Sequence, residues 1–423
     1  MKAAEHRAEF FNELFNKFNK INFQYCILNG YKNYPEEINS DIDIAVISII
    51  DFEKILQQLK KSYGISIIQK LQHQHKAINY FLSKNVNGDL IILSIDVYQY
   101  YVFKNRIIFN SKFLLKDRIV YKNFYIINPI NEFEYYFIKK IIKGDGEENI
   151  INLRRLHKRF KKELTKSNPL AKSTIFLYEY IEESNLDSLL NGKNNLLHKY
   201  LKFSNYSLKL VFYEIVRKIK RVFEPTGIMV SFLGPDGTGK TTLINKIICE
   251  HLLPFRKVKI FHLKPRVIGQ KAEGTPVINP HEQKKYRPFL SYIKLFHFQF
   301  DYLIGLFTKI IPYKIISSII IFDRYYEDIY IDPVRIRYGG NLHIAKVMRK
   351  IIPNPDIQFV LTANPNIIFS RKKELPKSKI KQLVLKYRSL PNDKYIQIDT
   401  GSDIEQIKIR VLNEIYKKMS NRY

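Results

Sequence analysis

The sequence predicts a mixed α/β protein: a C-terminal parallel sheet with flanking helices, preceded by an α+β portion and a mostly helical middle. Three observations carry this expectation. From Ile228 onward, short apolar runs alternate with helix-like segments, as buried parallel strands do. Between about Asn131 and Phe223 the apolar residues recur at helical spacing. Before that, helical and strand-like runs are interleaved. A chain of 423 residues exceeds what one core usually serves, and the pattern changes divide it into 1–125, 126–224 and 225–423.

In chain order, Phe10, Phe11, Leu14, Phe15 and Phe18 form an amphipathic stripe over residues 1–19. NFQYCIL and DIDIAV read as strands, followed by a helix from about 51 to 62. KAINYFLS and DLIILSIDVYQY flank Asn87-Gly88, a two-residue hairpin turn because both residues tolerate positive φ. EFEYYFIKKII, NLRRLHKRFKKEL, STIFLYEYIEE and YSLKLVFYEIVRKIKRVF read as helices, ending at Glu224-Pro225-Thr226-Gly227. Thereafter IMVSFL, KVKIFHL, IISSIIIFD, DIQFVLTA and YIQID are the strands. Ser402 and Glu405 have the spacing of a capping box before the last helix, with Ile404, Ile407, Val411 and Ile415 on its inner side.

The formal charge is +30, from 70 basic and 40 acidic residues. Such a balance suits an anionic partner, but the basic residues lie along the whole chain, with no single basic block, so no obligate nucleic acid is expected. The run Arg154, Arg155, His157, Lys158, Arg159, Lys161 and Lys162 reads as a solvated helix face. Cys26 and Cys249 have no metal-ligand spacing and read as buried thiols of a reducing compartment. The N-terminus lacks a signal-peptide core, and Lys309, Pro312 and Lys314 interrupt the most membrane-like run. A cytoplasmic protein without a transmembrane segment is expected.

Gly234, Gly239, Lys240 and Thr241 fit G-x-x-x-x-G-K-[ST], with an apolar strand before and a helical pattern after. Glycines let consecutive N–H groups and a helix N-terminus face a phosphate. Lys240 would reach the β- and γ-phosphates of ATP, and Thr241 would offer its hydroxyl to Mg²⁺. The fuller string Gly234, Asp236, Gly237, Thr238, Gly239, Lys240, Thr241 and Thr242 resembles the thymidylate kinase family of nucleoside monophosphate kinases. Asp323-Arg324-Tyr325 after IISSIIIF and the segment NPDIQFVLTANPNIIFSRKKE resemble that family as well, over about residues 226–423.

The resemblance implies that Arg324 clamps the acceptor phosphate, that Asp323 lies near the metal, and that Arg371 supplies the catalytic arginine from the lid. DRYYEDIYIDPVRIRYGG departs from the family pattern by adding Asp328, Asp332, Arg335 and Arg337, and the loop 264–286 is long and basic. The acceptor is therefore left open: thymidylate, or a sugar or polyol intermediate.

In LNGYKNYPEEINSDIDIAV, Gly30 and the Asp41/Asp43 pair resemble the nucleotidyltransferase fold of the polymerase-β type. Alternate residues of a strand share a face, so Asp41 and Asp43 would hold Mg²⁺ together, with Asp96 as the third carboxylate. Tyr31 stands where that family has a small residue against the nucleotide phosphate. The whole reads as an ATP- and Mg²⁺-dependent phosphotransferase acting on a small phosphorylated or hydroxyl acceptor, with a nucleotidyltransferase-like domain and room for a homodimer. The rival from another class is a nucleic-acid-associated P-loop switch or defence module.

Overall fold

The computed structural model describes residues 2–38, 40–86, 89–143, 150–164, 172–183, 193–249, 253–267, 281 and 283–423. The chain divides into two compact units, Met1–Lys220 and Arg221–Tyr423.

The first unit opens with α1 (Lys2–Lys20), whose phenylalanine stripe is buried, with Phe11, Phe15 and Phe18 in ring contact with Phe124 and Tyr25. It continues with β1 (Tyr25–Ile27), β2 (Ile42–Val46), α2 (Ile49–Tyr63), β3 (Ser66–Gln74), β4 (Ala77–Val86) and β5 (Asp89–Tyr98). The hairpin β6 (Tyr100–Phe103) and β7 (Arg106–Asn110), α3 (Ser111–Leu115), β8 (Ile119–Tyr121) and β9 (Phe124–Ile126) follow. The helices α4 (Pro129–Lys143), α5 (Ile150–Leu164), α6 (Lys172–Glu183) and α7 (Lys193–Tyr200) come next, and α8 (Leu208–Phe223) runs from this unit across the division at Lys220.

Seven strands form one mixed sheet in the order β3-β4-β5-β2-β1-β9-β8. Val86 pairs with Asp89 in the antiparallel β4–β5 ladder, as a tight hairpin requires; the Asn87-Gly88 turn itself lies outside the described residues. The middle helices share a core with the strands: Cys26, Leu28 and Ala45 cluster with Phe133, Phe160, Leu177 and Leu196. Residues 126–220 thus fall into the same compact unit as the sheet. Helices of this length have little stability of their own and need an apolar partner, which the face of the sheet carrying Ala45 supplies.

The second unit alternates strand and helix. Its elements are β10 (Ile228–Leu233), α9 (Lys240–Cys249), β11 (Val258–His262), α10 (Pro288–Gly305), α11 (Ile311–Ile315), β12 (Ile319–Asp323), α12 (Asp328–Ile331), α13 (Leu342–Met348), β13 (Ile357–Thr362), α14 (Pro365–Arg371), α15 (Lys377–Arg388), β14 (Ile396–Asp399) and α16 (Ile404–Ser420). All five strands are parallel, in the order β11-β12-β10-β13-β14. β10 and β13 are buried at every residue, which is why they read as unbroken apolar runs.

Three expectations change in detail. β12 begins only at Ile319, because Ile315 ends a helix and Ser317 turns the chain at φ 60°. The last helix is capped by Asp403, which accepts from the N–H groups of Glu405 and Gln406; Glu405 instead pairs with Lys246 and Lys408. A carboxylate one residue closer to the helix outcompetes the Ser402 hydroxyl. Cys26 is buried, donating to Leu114 O at 3.2 Å, but Cys249 at the outer end of α9 is exposed. Near the other end of this unit, Arg422 donates to the carbonyls of Thr226 (2.7 Å) and Gly227 (3.2 Å), at the approach to β10. Among the described residues no helix is long and apolar enough to cross a membrane.

Candidate active sites

The C-terminal end of β10 runs into the glycine loop, whose strand order places it at the reversal point of the sheet, where ligands of open α/β folds bind. Gly234 has φ 139°, and a Cβ there would sit 2.2 Å from Leu361 O, so no other residue fits. Gly239 has φ 82° and its missing Cβ faces open space. That space is a cavity of about 460 Å³ lined by Asp236, Gly237, Gly239, Lys240, Thr241, Thr242, His262, Asp323, Arg324, Arg335, Arg371 and Lys372. All eight loop positions singled out in the sequence therefore border it except Gly234 and Thr238, which build the bend; Thr238 donates to Pro235 O at 2.9 Å.

Lys240 folds back on its own loop, donating to Gly234 O (2.8 Å) and Pro235 O (2.7 Å). Burial and then the nearby Arg324 guanidinium push its ammonium below the usual lysine range, so an anion arriving in the cavity would restore its charge. Thr241 donates to Asp323 Oδ2 at 3.0 Å, while the buried Asp323 Oδ1 takes no hydrogen bond. Burial holds the His262 imidazole below the usual histidine range.

Arg324 is buried and adopts φ 74°, a left-handed conformation rare outside glycine. Its guanidinium donates to Asp328 Oδ2 (2.5 Å) and Asp236 Oδ1 (2.5 Å). Asp328 in turn accepts from the Tyr387 hydroxyl at 2.8 Å. Arg335 pairs with the other oxygen of Asp236. Two guanidiniums thus converge on one loop carboxylate, so Arg324 is already engaged. Arg371, in the last turn of α14, donates to Thr400 O at 3.1 Å and sits at the cavity rim. Sequence reasoning named Arg335 only as a departure and missed His262 as a lining group; a histidine at the C-terminal end of a parallel strand was the available signal.

In the first unit, Asp43 and Asp96 are register partners on the adjacent parallel strands β2 and β5, and Asp41 directly precedes β2. The three line a cleft of about 610 Å³, together with Asn29, Tyr31, Lys139 and Arg155 among others. Burial, then the charges of Asp43 and Asp41, push the Asp96 carboxyl up to about 7. Its Oδ1 is buried without a hydrogen bond, His73 Nε2 standing 3.8 Å away. Such an orphaned oxygen suits a cation.

Asp43 already has one: Lys139 from α4 donates to its Oδ2 at 2.9 Å, and Asn29 donates to the same atom at 3.0 Å. The three carboxylates do not all approach within 4.8 Å of one another; among the described residues the one trio that does is Asp236, His281 and Glu374. Tyr31 points away from a phosphate role, donating to Glu132 Oε2 (2.8 Å) and accepting from Arg159 (2.7 Å). His281 lies 2.9 Å from Asp332 and is mostly buried.

No protein-family model matches the chain, and no curated protein matches it. Among solved structures, the chain is similar to the thymidylate kinase of Candida albicans, at 18% identity and a TM-score of 0.34, over 46% of this chain and 93% of that one. It is also similar to the thymidylate kinase of Ehrlichia chaffeensis, at 15% identity and a TM-score of 0.31, over 45% of this chain and 100% of that one.

Proposed function

We propose that the second unit is an ATP-dependent phosphotransferase of the nucleoside monophosphate kinase type, moving the γ-phosphoryl group of ATP to a nucleotide or phosphosugar-type acceptor in the cytoplasm. The observation that carries this reading is the glycine bend opening on a cavity ringed by Lys240, Arg324, Arg335, Arg371 and Lys372. Phosphoryl transfer asks for aligned polyanions and neutralised charge more than for covalent chemistry, and five cations around one phosphate loop meet that demand.

Mg²⁺ fits beside Thr241 and Asp323, a hydroxyl and a carboxylate with one oxygen unengaged. It would neutralise the phosphates there. Lys240 would leave its two loop carbonyls for the β- and γ-phosphates, regaining a full charge. Asp236 holds Arg324 and Arg335 oriented until an anionic acceptor competes for them. Arg371 would reach the transferring group from the rim.

For the first unit the reading is a nucleotidyltransferase-like cleft whose metal-side carboxylates are Asp41, Asp43 and Asp96. The in-register Asp43 and Asp96 and the orphaned oxygen support it, while Lys139 supplies part of the positive charge that a second ion would bring.

The test is a screen of nucleoside monophosphates and phosphosugars for ATP-dependent phosphorylation. Lys240→Ala is expected to cut turnover about a hundredfold or more, and Asp41→Ala to leave it unchanged. Silence with every small acceptor, coupled to ATP hydrolysis stimulated by DNA or RNA, would replace this reading with the P-loop switch.

A further inference from the structure

Helix α8 (Leu208–Phe223) is mounted with its polar side inward. Glu214 accepts from the backbone N–H of His75 at 2.9 Å, and the Tyr213 ring stacks on the His75 ring at 4.1 Å and 2°. Arg217 donates to Gln72 O at 3.1 Å and to Glu214 at 2.7 Å. Of its residues only Leu210 is buried. The opposite side, from Leu208 through Phe212, Ile215, Ile219 and Val222 to Phe223, is exposed, with Phe212 at 62% and Phe223 at 81%.

At 100° per residue these six positions fill an arc of about 100°, roughly 24 Å long. Such an arc ordinarily faces a core, yet here named hydrogen bonds hold it outward. Exposed Lys209 and Lys218 stand at the two edges of the arc. Apolar centre and basic margins are the profile of a helix lying at the surface of an anionic bilayer, where lysine stems follow the apolar face and the ammonium groups meet phosphates.

We propose that α8 is an interfacial membrane anchor that seats this protein on anionic phospholipid. Sixteen residues with several charges do not span a bilayer, so the helix lies in the headgroup layer. Charge selects this occupant over a second copy. Pairing two copies through the same stripe would bring Lys209 and Lys218 toward their counterparts on chains that each carry +30. An anionic surface draws the same lysines in. The proposal is independent of the phosphotransferase reading.

The test is co-sedimentation of the full-length protein with phosphatidylcholine vesicles, with and without phosphatidylserine. Binding is expected on the phosphatidylserine vesicles and weakens with salt. Lys209→Ala and Lys218→Ala each lower it about fivefold there, and Phe212→Ser with Ile219→Ser lowers it roughly tenfold or more. All four side chains are exposed, so unchanged unfolding midpoints are expected for these variants. The proposal is overturned by absence of sedimentation with either vesicle, by undiminished binding of the Phe212/Ile219 variant, or by loss only with Phe296→Ser in α10. A dimer in sedimentation velocity that this double variant converts to monomer, without vesicle binding, assigns the stripe to a second copy and overturns it too.

Discussion

Glu132 sits almost dry at the start of α4, and burial pushes its carboxyl up to about 7 despite hydrogen bonds from Tyr31 and Arg159. The folded state therefore holds a proton that the unfolded chain has released, and stability falls as pH rises through the window between the ordinary carboxylate range and about 7. Glu132→Gln keeps an acceptor for Tyr31 and removes the titration. Its stability relative to the parent is expected to rise by about 1 to 3 kcal/mol between mildly acidic and mildly basic pH, read from urea midpoints at several pH values. A difference flat in pH would mean that Glu132 is ionised in the fold. Residues whose placement follows from local spacing were readable without coordinates: Asp43 and Asp96 border one cleft, and Lys240 follows its glycines into the cavity. Lys139 was not readable, because it meets Asp43 across 96 positions of sequence and nothing in α4 distinguishes it from Lys140. The same holds for Arg335, whose partner Asp236 lies on a different loop.

Among elements, Glu327 joins four pieces of the second unit. Standing just before α12, it accepts from Arg349 after α13 (2.7 Å), Tyr395 before β14 (2.8 Å) and Gln358 on β13 (3.3 Å). Glu327 is fully buried and Arg349 nearly so. Glu327→Ala leaves that guanidinium, the Tyr395 hydroxyl and the Gln358 amide without their shared acceptor, and a loss of about 3 to 5 kcal/mol is expected in denaturant titrations of the unit; a loss below about 1 kcal/mol would show that water replaces the carboxylate. Buried parallel strands and long amphipathic helices announced themselves by period. The small hairpins β6–β7 and β8–β9 did not. Their turns are Lys104-Asn105, both at positive φ, and Lys122-Asn123, with positive φ at Lys122. Lysine has no intrinsic taste for that conformation, so the surrounding pairing imposes it. The orientation of α8 was equally hidden, since its period fixes which residues share a face but not which face turns outward.

At the scale of the molecule, two units imply two unfolding events. Mg-ATP at a hundred times its dissociation constant should stabilise only the second unit, by about 2.7 kcal/mol, which scanning calorimetry reads as one transition moving while the other stays. Movement of neither, or of the other alone, would contradict nucleotide binding at Lys240. The Pro-Gly interruption near residue 224 lies within a few positions of the division between Lys220 and Arg221. The merger of the middle helices with the first sheet was not visible, because it depends on which apolar faces meet. The pair of hydrogen bonds from Arg422 back to Thr226 and Gly227 works as a clasp on the strand that feeds the glycine loop. Arg422→Ala would unfasten it; a gel would scarcely register the change, whereas turnover would.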